Sequence, residues 1–201
     1  RQRQMCIRDS FLGREITGKT LGLIGLGRIG KAVAKRAVGF DMHTVYYSRR
    51  RLLPADEDRL KVFYRPLETL LKQADYISLH VPLTADTHHL IGEGEIEKMK
   101  PSAILINTSR GPVINEAALV GALKQNRIAG AGMDVYEKEP ELSPGLIDLE
   151  NVILLPHVGS ATIETRTRMA DLAVDNLLAG LAGKRPPNCL NWEKLPGKGR
   201  K

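Results

Sequence analysis

Residues 20–30 read Thr-Leu-Gly-Leu-Ile-Gly-Leu-Gly-Arg-Ile-Gly, and they carry the strongest structural signal in the chain. The apolar first half is typical of a buried parallel strand, and residues 31–38 have the character of a helix. Between them, Gly25 permits a tight turn, Gly27 lets the backbone approach a pyrophosphate, and Gly30 lets helix and strand pack closely. The N–H groups at the positive end of the helix can hold phosphates. The stretch therefore predicts a dinucleotide site, the alternative being a purely structural strand-to-helix turn.

Apolar strands and helical stretches alternate along the rest of the chain, which favours an α/β fold. Strands are predicted at residues 20–25, 43–47, 62–65, 75–81, 103–107, 130–135 and 152–155, and helices at 28–39, 66–74, 93–100, 116–125 and 162–181. Asn115 is predicted to cap the helix that follows it, and Gly183 to end the last helix. Every step between strands is long enough for a crossover, so we predict a Rossmann-type, doubly wound parallel sheet with helices on both faces.

The same pattern predicts the domain organisation. Residues 1–10 read as an unrelated or disordered leader, because they are polar and unpatterned. Residues 11–182 read as a dinucleotide-binding domain that includes the last long helix. Residues 183–201 read as a C-terminal tail, disordered from Glu193 onward.

Composition excludes several classes of protein. No apolar run approaches the roughly 18 residues of a transmembrane helix, so we expect no membrane partner. Cys6 and Cys189 lie at opposite ends and form no disulfide framework, which favours the reducing cytoplasm. The net charge of +7 arises mostly within residues 1–10 and 193–201. Because no basic stripe contains interleaved aromatic residues, we do not expect a nucleic acid as the main partner.

The end of the second strand bears on which dinucleotide binds. An NAD site has an acidic residue about 20 residues after the glycines, where it binds the ribose hydroxyls. Residues 46–51 read Tyr-Tyr-Ser-Arg-Arg-Arg, and residues 42–55 contain no acid. Ser48, Arg49 and Arg50 could receive a 2′-phosphate with charge-assisted hydrogen bonds, whereas a carboxylate would repel it. We therefore predict NADPH as the preferred cofactor, with NADH as the second candidate; the alternative is a solvated basic turn.

Polar groups follow several predicted strands at their carboxyl ends, where open parallel sheets bind ligands. The segments are Ser78-Leu-His-Val-Pro-Leu-Thr84, Asn107-Thr-Ser-Arg-Gly-Pro112, Asp134-Val-Tyr-Glu-Lys-Glu-Pro140 and Leu155-Pro-His-Val-Gly-Ser-Ala-Thr162. An arginine, a pair of acids and a histidine are the groups that hold an anionic carbonyl compound and move a proton. Each of them alone also fits a surface ion pair or a structural role. Only their joint occurrence favours a catalytic site.

A metal site is not predicted. His80, His88 and His89 lie close in sequence, but adjacent histidines rarely bind one ion and no cysteine or acid completes a set. His80 is expected to have a structural role.

In this order, the motifs closely resemble the D-2-hydroxyacid dehydrogenase family over roughly residues 11–192. The resemblance rests on Gly25-Leu-Gly-Arg-Ile-Gly30, His80-Val-Pro-Leu-Thr84, Thr87-His-His-Leu90, Asn107-Thr-Ser-Arg-Gly111, Asp134-Val-Tyr-Glu-Lys-Glu-Pro140 and Pro156-His-Val-Gly-Ser160. Within the family, Ser48-Arg49 and residues 156–165 look most like the bacterial glyoxylate/hydroxypyruvate reductases, also called 2-ketogluconate reductases.

The resemblance implies a catalytic triad of Arg110, Glu139 and His157. Arg110 would grip the carboxylate of a 2-oxo acid and polarise its ketone. His157 would be the general acid, and Glu139 would orient its ring. The implied reaction transfers a hydride from NADPH to glyoxylate or hydroxypyruvate, with 2-ketogluconate a further candidate, and yields the D-2-hydroxy acid.

The cofactor contacts are predicted from the glycine motif and the family pattern together. They are Gly25, Gly27, Arg28, Ile29, Gly30, Ser48, Arg49, Arg50, Val81, Pro82, Thr87, Thr108, Ser109, Arg110, Asp134, His157 and Gly159. The resemblance also implies a homodimer, and a substrate domain that is mostly absent here, so the chain is expected to bind cofactor but to catalyse feebly or not at all. The alternatives are a non-catalytic dinucleotide sensor similar to corepressors, or an NAD-linked enzyme of the 3-phosphoglycerate dehydrogenase type, against which Ser48 speaks.

Overall fold

The computed structural model describes residues 13–195, and the structural statements that follow concern that part of the chain. Its strands are β1 (Thr20–Ile24), β2 (His43–Tyr47), β3 (Val62–Tyr64), β4 (Tyr76–Leu79), β5 (Ile104–Asn107), β6 (Gly130–Met133) and β7 (Val152–Leu154). They form one sheet in the order β3-β2-β1-β4-β5-β6-β7 with every pair parallel. This confirms the predicted doubly wound α/β fold. The strand order reverses between β1 and β4, the position where such sheets bind ligands.

Six α-helices accompany the sheet in the described residues. They are α1 (Arg28–Ala37), α2 (Pro54–Leu60), α3 (Leu67–Gln73), α4 (Glu93–Ile96), α5 (Glu116–Lys124) and α6 (Ile163–Leu181). Short 3-10 turns occur at Val38–Phe40, Ala85–Thr87, Gly111–Val113 and Trp192–Lys194. Asn115 caps α5 as predicted, since its side chain accepts a hydrogen bond from the N–H of Ala118 at 3.0 Å.

Two predictions about helices were wrong. Helix α2 was missed because four of its seven residues are charged, and only Glu57 and Leu60 are buried in it. Conversely, the helix predicted over 93–100 ends as an α-helix at Ile96. Beyond that point the backbone tightens, with Met99 N–H donating to the carbonyl three residues earlier, before Pro101 excludes a further helical turn.

Helices cover both faces of the sheet, as the doubly wound prediction requires. On one face Leu21 and Leu23 of β1 pack with Ala34 of α1 and Leu60 of α2. On the opposite face a larger core joins residues of β1, β2, β4, β5 and β6 to α3, α4 and α5: Ile24, Val45, Ile77, Leu79, Leu105, Ala131 and Met133 with Leu70, Leu71, Ile96, Leu119 and Leu123. This burial holds the carboxyl ends of the strands at one fixed edge.

The described part of the chain divides into two compact units, one ending at His157 and one beginning at Val158. In the second unit Thr162 caps α6 by accepting a hydrogen bond from the N–H of Thr165 at 3.1 Å, and Gly183 follows the helix with a φ of +69°. The domain boundaries predicted at residues 11 and 182 stay predictions. The predicted leader at 1–10 and residues 196–201 of the predicted tail lie outside the described residues. None of the described helices is both long and apolar enough to cross a membrane.

Candidate functional site

The turn between β1 and α1 has the geometry that its glycines predicted. Gly25 has a φ of +97°, and a Cβ there would lie 2.7 Å from the His80 carbonyl carbon. A Cβ on Gly30 would clash with the carbonyl oxygen of Gly25. At Gly27, by contrast, a Cβ would meet nothing within 4 Å. The turn is therefore closed on the protein side and open in front of α1, and a dinucleotide pyrophosphate fits that open side.

An open cleft of about 1000 Å³ begins at this turn and follows the carboxyl ends of the strands. Eight predicted cofactor residues line it: Gly27, Arg28, Ile29, Val81, Pro82, Thr108, Ser109 and Arg110. Five lining residues were not predicted as contacts: Ala32, Val33, Arg36, His80 and Leu83. The helical period would have found Ala32 and Arg36, since they continue from Arg28 along one face of α1.

His80 lines the cleft, and its expected structural role stays a prediction. Its Nε2 lies 3.0 Å from the Ser78 hydroxyl, and burial lowers the pKa of its imidazole. The imidazole forms part of the cleft wall. No cluster of three or more His, Cys, Asp or Glu that could hold a metal ion occurs within the described residues.

The other predicted cofactor residues lie beside the cleft or outside it. Ser48, Arg49 and Arg50 follow β2, whose last carbonyl, on Tyr47, accepts a hydrogen bond from the N–H of Gly25 at 2.8 Å, so they adjoin the glycine turn. Thr87 uses its hydroxyl within its own turn, donating to the carbonyl of Pro82 at 2.6 Å. Asp134 is buried directly after β6. The roles assigned to these residues, and to Gly159 in the second unit, stay predictions.

We expect Gly27→Ala to weaken dinucleotide binding by about tenfold, because the added methyl group enters the space that the pyrophosphate would take. The loss of unfolding free energy should stay within about 1 kcal/mol, the usual cost of alanine in place of a better helix cap. Calorimetric titration and urea unfolding of the chain measure the two effects. Gly39→Ala, where a Cβ likewise meets nothing within 4 Å, is the matched control. Unchanged affinity in Gly27→Ala would place the pyrophosphate elsewhere.

Asn107 holds the loop after β5, although the sequence did not predict a role for it in the site. Asn107 is fully buried, and its side chain accepts from the N–H and the hydroxyl of Ser109 at 3.0 and 2.9 Å. The same side chain donates to the carbonyl of Arg110 at 3.0 Å. These bonds fix the backbone of Arg110, which lines the cleft and donates from Nη1 to the carbonyl of Ser109 at 2.6 Å.

The structure brings Glu139 and His157 together. Nδ1 of His157 lies 3.0 Å from Oε2 of Glu139, and both side chains are partly exposed. The hydrogen bond from His157 lowers the pKa of the Glu139 carboxyl, with help from the N–H of Tyr136 and, more weakly, the charge of Arg110. Since an ionised carboxylate only accepts, the hydrogen of this bond is carried by Nδ1.

Backbone geometry presents His157 to this partner. Its φ is +55°, in the left-handed region that residues other than glycine seldom adopt. The hydroxyl of Tyr136 donates to the carbonyl of Leu155 at 2.7 Å, and the N–H of Tyr136 donates to Oε1 of Glu139 at 3.1 Å. One buried tyrosine therefore links the loop that carries the acid to the strand end that carries the histidine.

A buried carboxylate supports the same loop. Glu116 is fully buried at the start of α5, and it accepts the N–H of Glu137 at 2.5 Å and the hydroxyl of Ser143 at 2.6 Å. Glu137 in turn accepts a hydrogen bond from His89 at 2.7 Å. Sequence reasoning missed this network, because Glu116 reads as an ordinary acid in the first turn of a helix and its partners are distant in sequence.

A second network closes the loop after β2. The hydroxyl of Tyr46 donates to Oε1 of Glu57 at 2.7 Å, and Arg51 donates to both carboxylate oxygens at 2.8 and 2.9 Å. Hydrogen bonding, chiefly from Arg51 and then from Tyr46, outweighs the pKa-raising effect of burial and lowers the pKa of Glu57 to about 2. Neither Glu57 nor Tyr46 was predicted as part of a site.

The Glu57 network predicts a pH effect on stability. The pKa of the Glu57 carboxyl falls from an ordinary 4.5 to about 2 on folding. The contribution of Glu57 to the free energy of unfolding is therefore complete above about pH 4.5 and is lost as the pH falls toward 2. The natural chain should therefore lose more unfolding free energy over that window than Glu57→Gln does. Urea unfolding at a series of pH values measures this, and parallel curves for the two proteins would contradict it.

A parallel sheet with a glycine turn at its reversal point and a cleft along its carboxyl edge defines a dinucleotide-binding domain. The chain belongs to the D-isomer specific 2-hydroxyacid dehydrogenase family, since its residues 1–159 match the model of that family's NAD binding domain. The cofactor class is accordingly a nicotinamide dinucleotide.

Named relatives and solved structures agree with this assignment. A glyoxylate reductase of Thermococcus litoralis is 55% identical over 92% of this chain and 56% of its own length. The glyoxylate/hydroxypyruvate reductase B of Enterobacter sp. (strain 638) is 51% identical over 92% of this chain and 57% of its own length. The crystal structure of a glyoxylate reductase from Paecilomyes thermophila superposes with a TM-score of 0.80 at 42% identity, covering 89% of this chain and 54% of that one. The chain thus spans little more than half the length of the relatives it matches.

Proposed function

We propose that this protein is a reductase of small 2-oxo acids that yields D-2-hydroxy acids. The observation that carries the proposal is the His157–Glu139 pair, 3.0 Å apart, which follows β6 and β7 at the carboxyl edge of the sheet that also forms the cleft. Relatives named glyoxylate reductase and glyoxylate/hydroxypyruvate reductase support glyoxylate and hydroxypyruvate as substrates, with 2-ketogluconate a further candidate.

The residues of this chain supply binding and proton transfer. A dinucleotide held in the cleft would supply the hydride that reduces the carbonyl carbon. Arg110, which is permanently cationic, holds the substrate carboxylate and draws electron density from the ketone. His157 donates its Nε2 proton to the ketone oxygen, and Glu139 stabilises the imidazolium through Nδ1 before that transfer. The alcohol forms as the ring becomes neutral.

NADPH is the proposed cofactor because the loop after β2 is basic and has no acid. Arg50 is exposed, and the guanidinium of Arg49 lies 3.6 Å from Asp86 with both side chains about three-quarters exposed. An exposed pair of this kind contributes little free energy, so Arg49 can exchange Asp86 for a phosphate. A 2′-phosphate beside Ser48 would meet two guanidinium groups there.

We expect Arg50→Ala to weaken NADPH binding by about tenfold and to leave NADH binding within about twofold, since only NADPH carries the phosphate. Titration calorimetry of the chain with each dinucleotide measures the ratio. Arg59→Ala, an exposed arginine paired with Asp56 on α2, is the control. An equal loss for both dinucleotides would show that Arg50 does not recognise the 2′-phosphate.

The proposed activity is tested with the intact protein. Oxidation of NADPH and of NADH is followed with glyoxylate, hydroxypyruvate, 2-ketogluconate and pyruvate. We expect the largest kcat/KM with NADPH and one of the first two acids. Dinucleotide binding without reduction of any 2-oxo acid would favour a non-catalytic dinucleotide sensor instead. A homodimer, a cytoplasmic location and the domain boundaries stay predictions that this assay does not address.

A further inference from the structure

The loop between β2 and α2 carries three consecutive arginines, and the structure separates their roles. Arg49 and Arg50 point their exposed side chains away from the core, whereas Arg51 is bound to Glu57 by two hydrogen bonds. The guanidinium carbon of Arg51 also lies 5.5 Å from the centre of the Tyr64 ring, close enough for a cation–π contact. Protein groups therefore hold Arg51 through its Nε and Nη2 atoms, unlike Arg49 and Arg50.

The same cluster fixes the backbone of the loop. The hydroxyl of Tyr46 accepts the N–H of Leu52 at 2.9 Å while it donates to Glu57 at 2.7 Å. Tyr46 is fully buried and Glu57 nearly so, which anchors both groups to the sheet and α2. At the other end of the loop the hydroxyl of Ser48 donates to the carbonyl of Arg50 at 2.5 Å. The backbone between residues 48 and 52 is thus tied at both ends.

We propose that Glu57 is a positioning residue for cofactor selectivity: with Tyr46 and Arg51 it holds the loop so that Arg49 and Arg50 stand ready for the 2′-phosphate of NADPH. The inference rests on the proposed preference for NADPH. Its physical basis is preorganisation, because a loop that is ordered before binding does not lose that freedom on binding. Glu57 itself touches no phosphate, since its carboxylate is occupied by Tyr46 and Arg51.

A simpler model predicts the opposite change in NADPH affinity when the charge of Glu57 is removed. If Arg51 bound the 2′-phosphate directly, Glu57 would compete with the phosphate for it. Removing the Glu57 charge would then release Arg51 and strengthen NADPH binding. In the positioning model, removing the charge loosens the loop and weakens NADPH binding. The direction of the change therefore separates the two models.

The test compares NADPH and NADH binding to the chain by titration calorimetry, for the natural sequence and for Glu57→Gln and Tyr46→Phe. We expect each variant to lower the ratio of NADPH to NADH affinity by about threefold to tenfold, with NADH affinity within about twofold. A merely structural role would weaken both dinucleotides equally. Tyr46→Phe guards against a folding defect in Glu57→Gln, because it removes one hydroxyl and keeps the buried ring.

Glu68→Gln is the matched control, since Glu68 is an exposed carboxylate that pairs with Lys72 on α3. It should leave the ratio unchanged. A ratio that is unchanged or higher in Glu57→Gln and unchanged in Tyr46→Phe would overturn the positioning role. If the natural chain itself binds both dinucleotides equally, the proposed NADPH preference fails, and the inference fails with it. The titrations of the natural chain alone reveal that outcome, before any variant is compared.

Discussion

We expect His157→Ala to lower the proposed turnover of 2-oxo acids by the intact protein about 10²- to 10⁴-fold, the range that a positioned general acid contributes. The reason is that Nδ1 is committed to Glu139 at 3.0 Å, so Nε2 is the atom that can protonate the ketone oxygen. Dinucleotide affinity should stay near that of the natural protein although His157 is also a predicted contact, because the glycine turn and Arg28 are untouched. Steady-state kinetics and titration with NADPH measure the two quantities separately.

A second variant and a control variant test the same assignment. Glu139→Gln keeps an acceptor for Nδ1 but removes the negative charge, so it should reduce turnover less than His157→Ala does. His43→Ala is the control, since His43 is exposed at the first residue of β2, at the opposite end of that strand from the cleft. Near-normal turnover in His157→Ala would end the assignment of this imidazole as the acid.

Gly111→Ala should destabilise the chain by at least about 2 kcal/mol, at the upper end of the usual cost of overpacking. A Cβ on Gly111 would clash with the carbonyl group of Tyr136 and with the N–H of Glu137. All these atoms are backbone, so no side chain can rotate away. The clash can be relieved only if the loop that carries Glu139 moves. The Gly111→Ala protein that still folds should therefore also lose turnover.

Gly121→Ala is the matched control for this substitution. It lies within α5, and a Cβ there would meet nothing within 4 Å. Alanine is the better helix former, so the control should gain up to about 1 kcal/mol of unfolding free energy. Urea unfolding of the two variants measures the difference. Equal midpoints would show that the approach of Gly111 to Tyr136 is not tight.

Much of the fold could be predicted because its signals are local. The run at residues 20–30 places an apolar strand, a glycine turn and a helix within one short segment, and β1 and α1 occur where expected. Asn115 was identified as a cap for the same reason. Helix α2 was missed because it buries only two of its residues, and a polar helix has no periodic signal to detect.

The candidate site could likewise be predicted only in part. Arg110, Glu139 and His157 each follow a predicted strand, so their common edge of the sheet could be inferred from order alone. Whether the imidazole meets the carboxylate could not, because that contact joins residues 18 positions apart through two independent loops.

By itself the sequence determined the parallel α/β architecture, the glycine turn and the edge of the sheet at which reactive groups collect, because these depend on short-range pattern and strand order. Only the tertiary structure decided which charged groups pair. Glu57 holds Arg51, and buried Glu116 holds the loop that carries Glu139. Such pairings depend on distances between segments remote in the chain, and hydrogen bonds form or fail over a few tenths of an ångström that no residue pattern encodes.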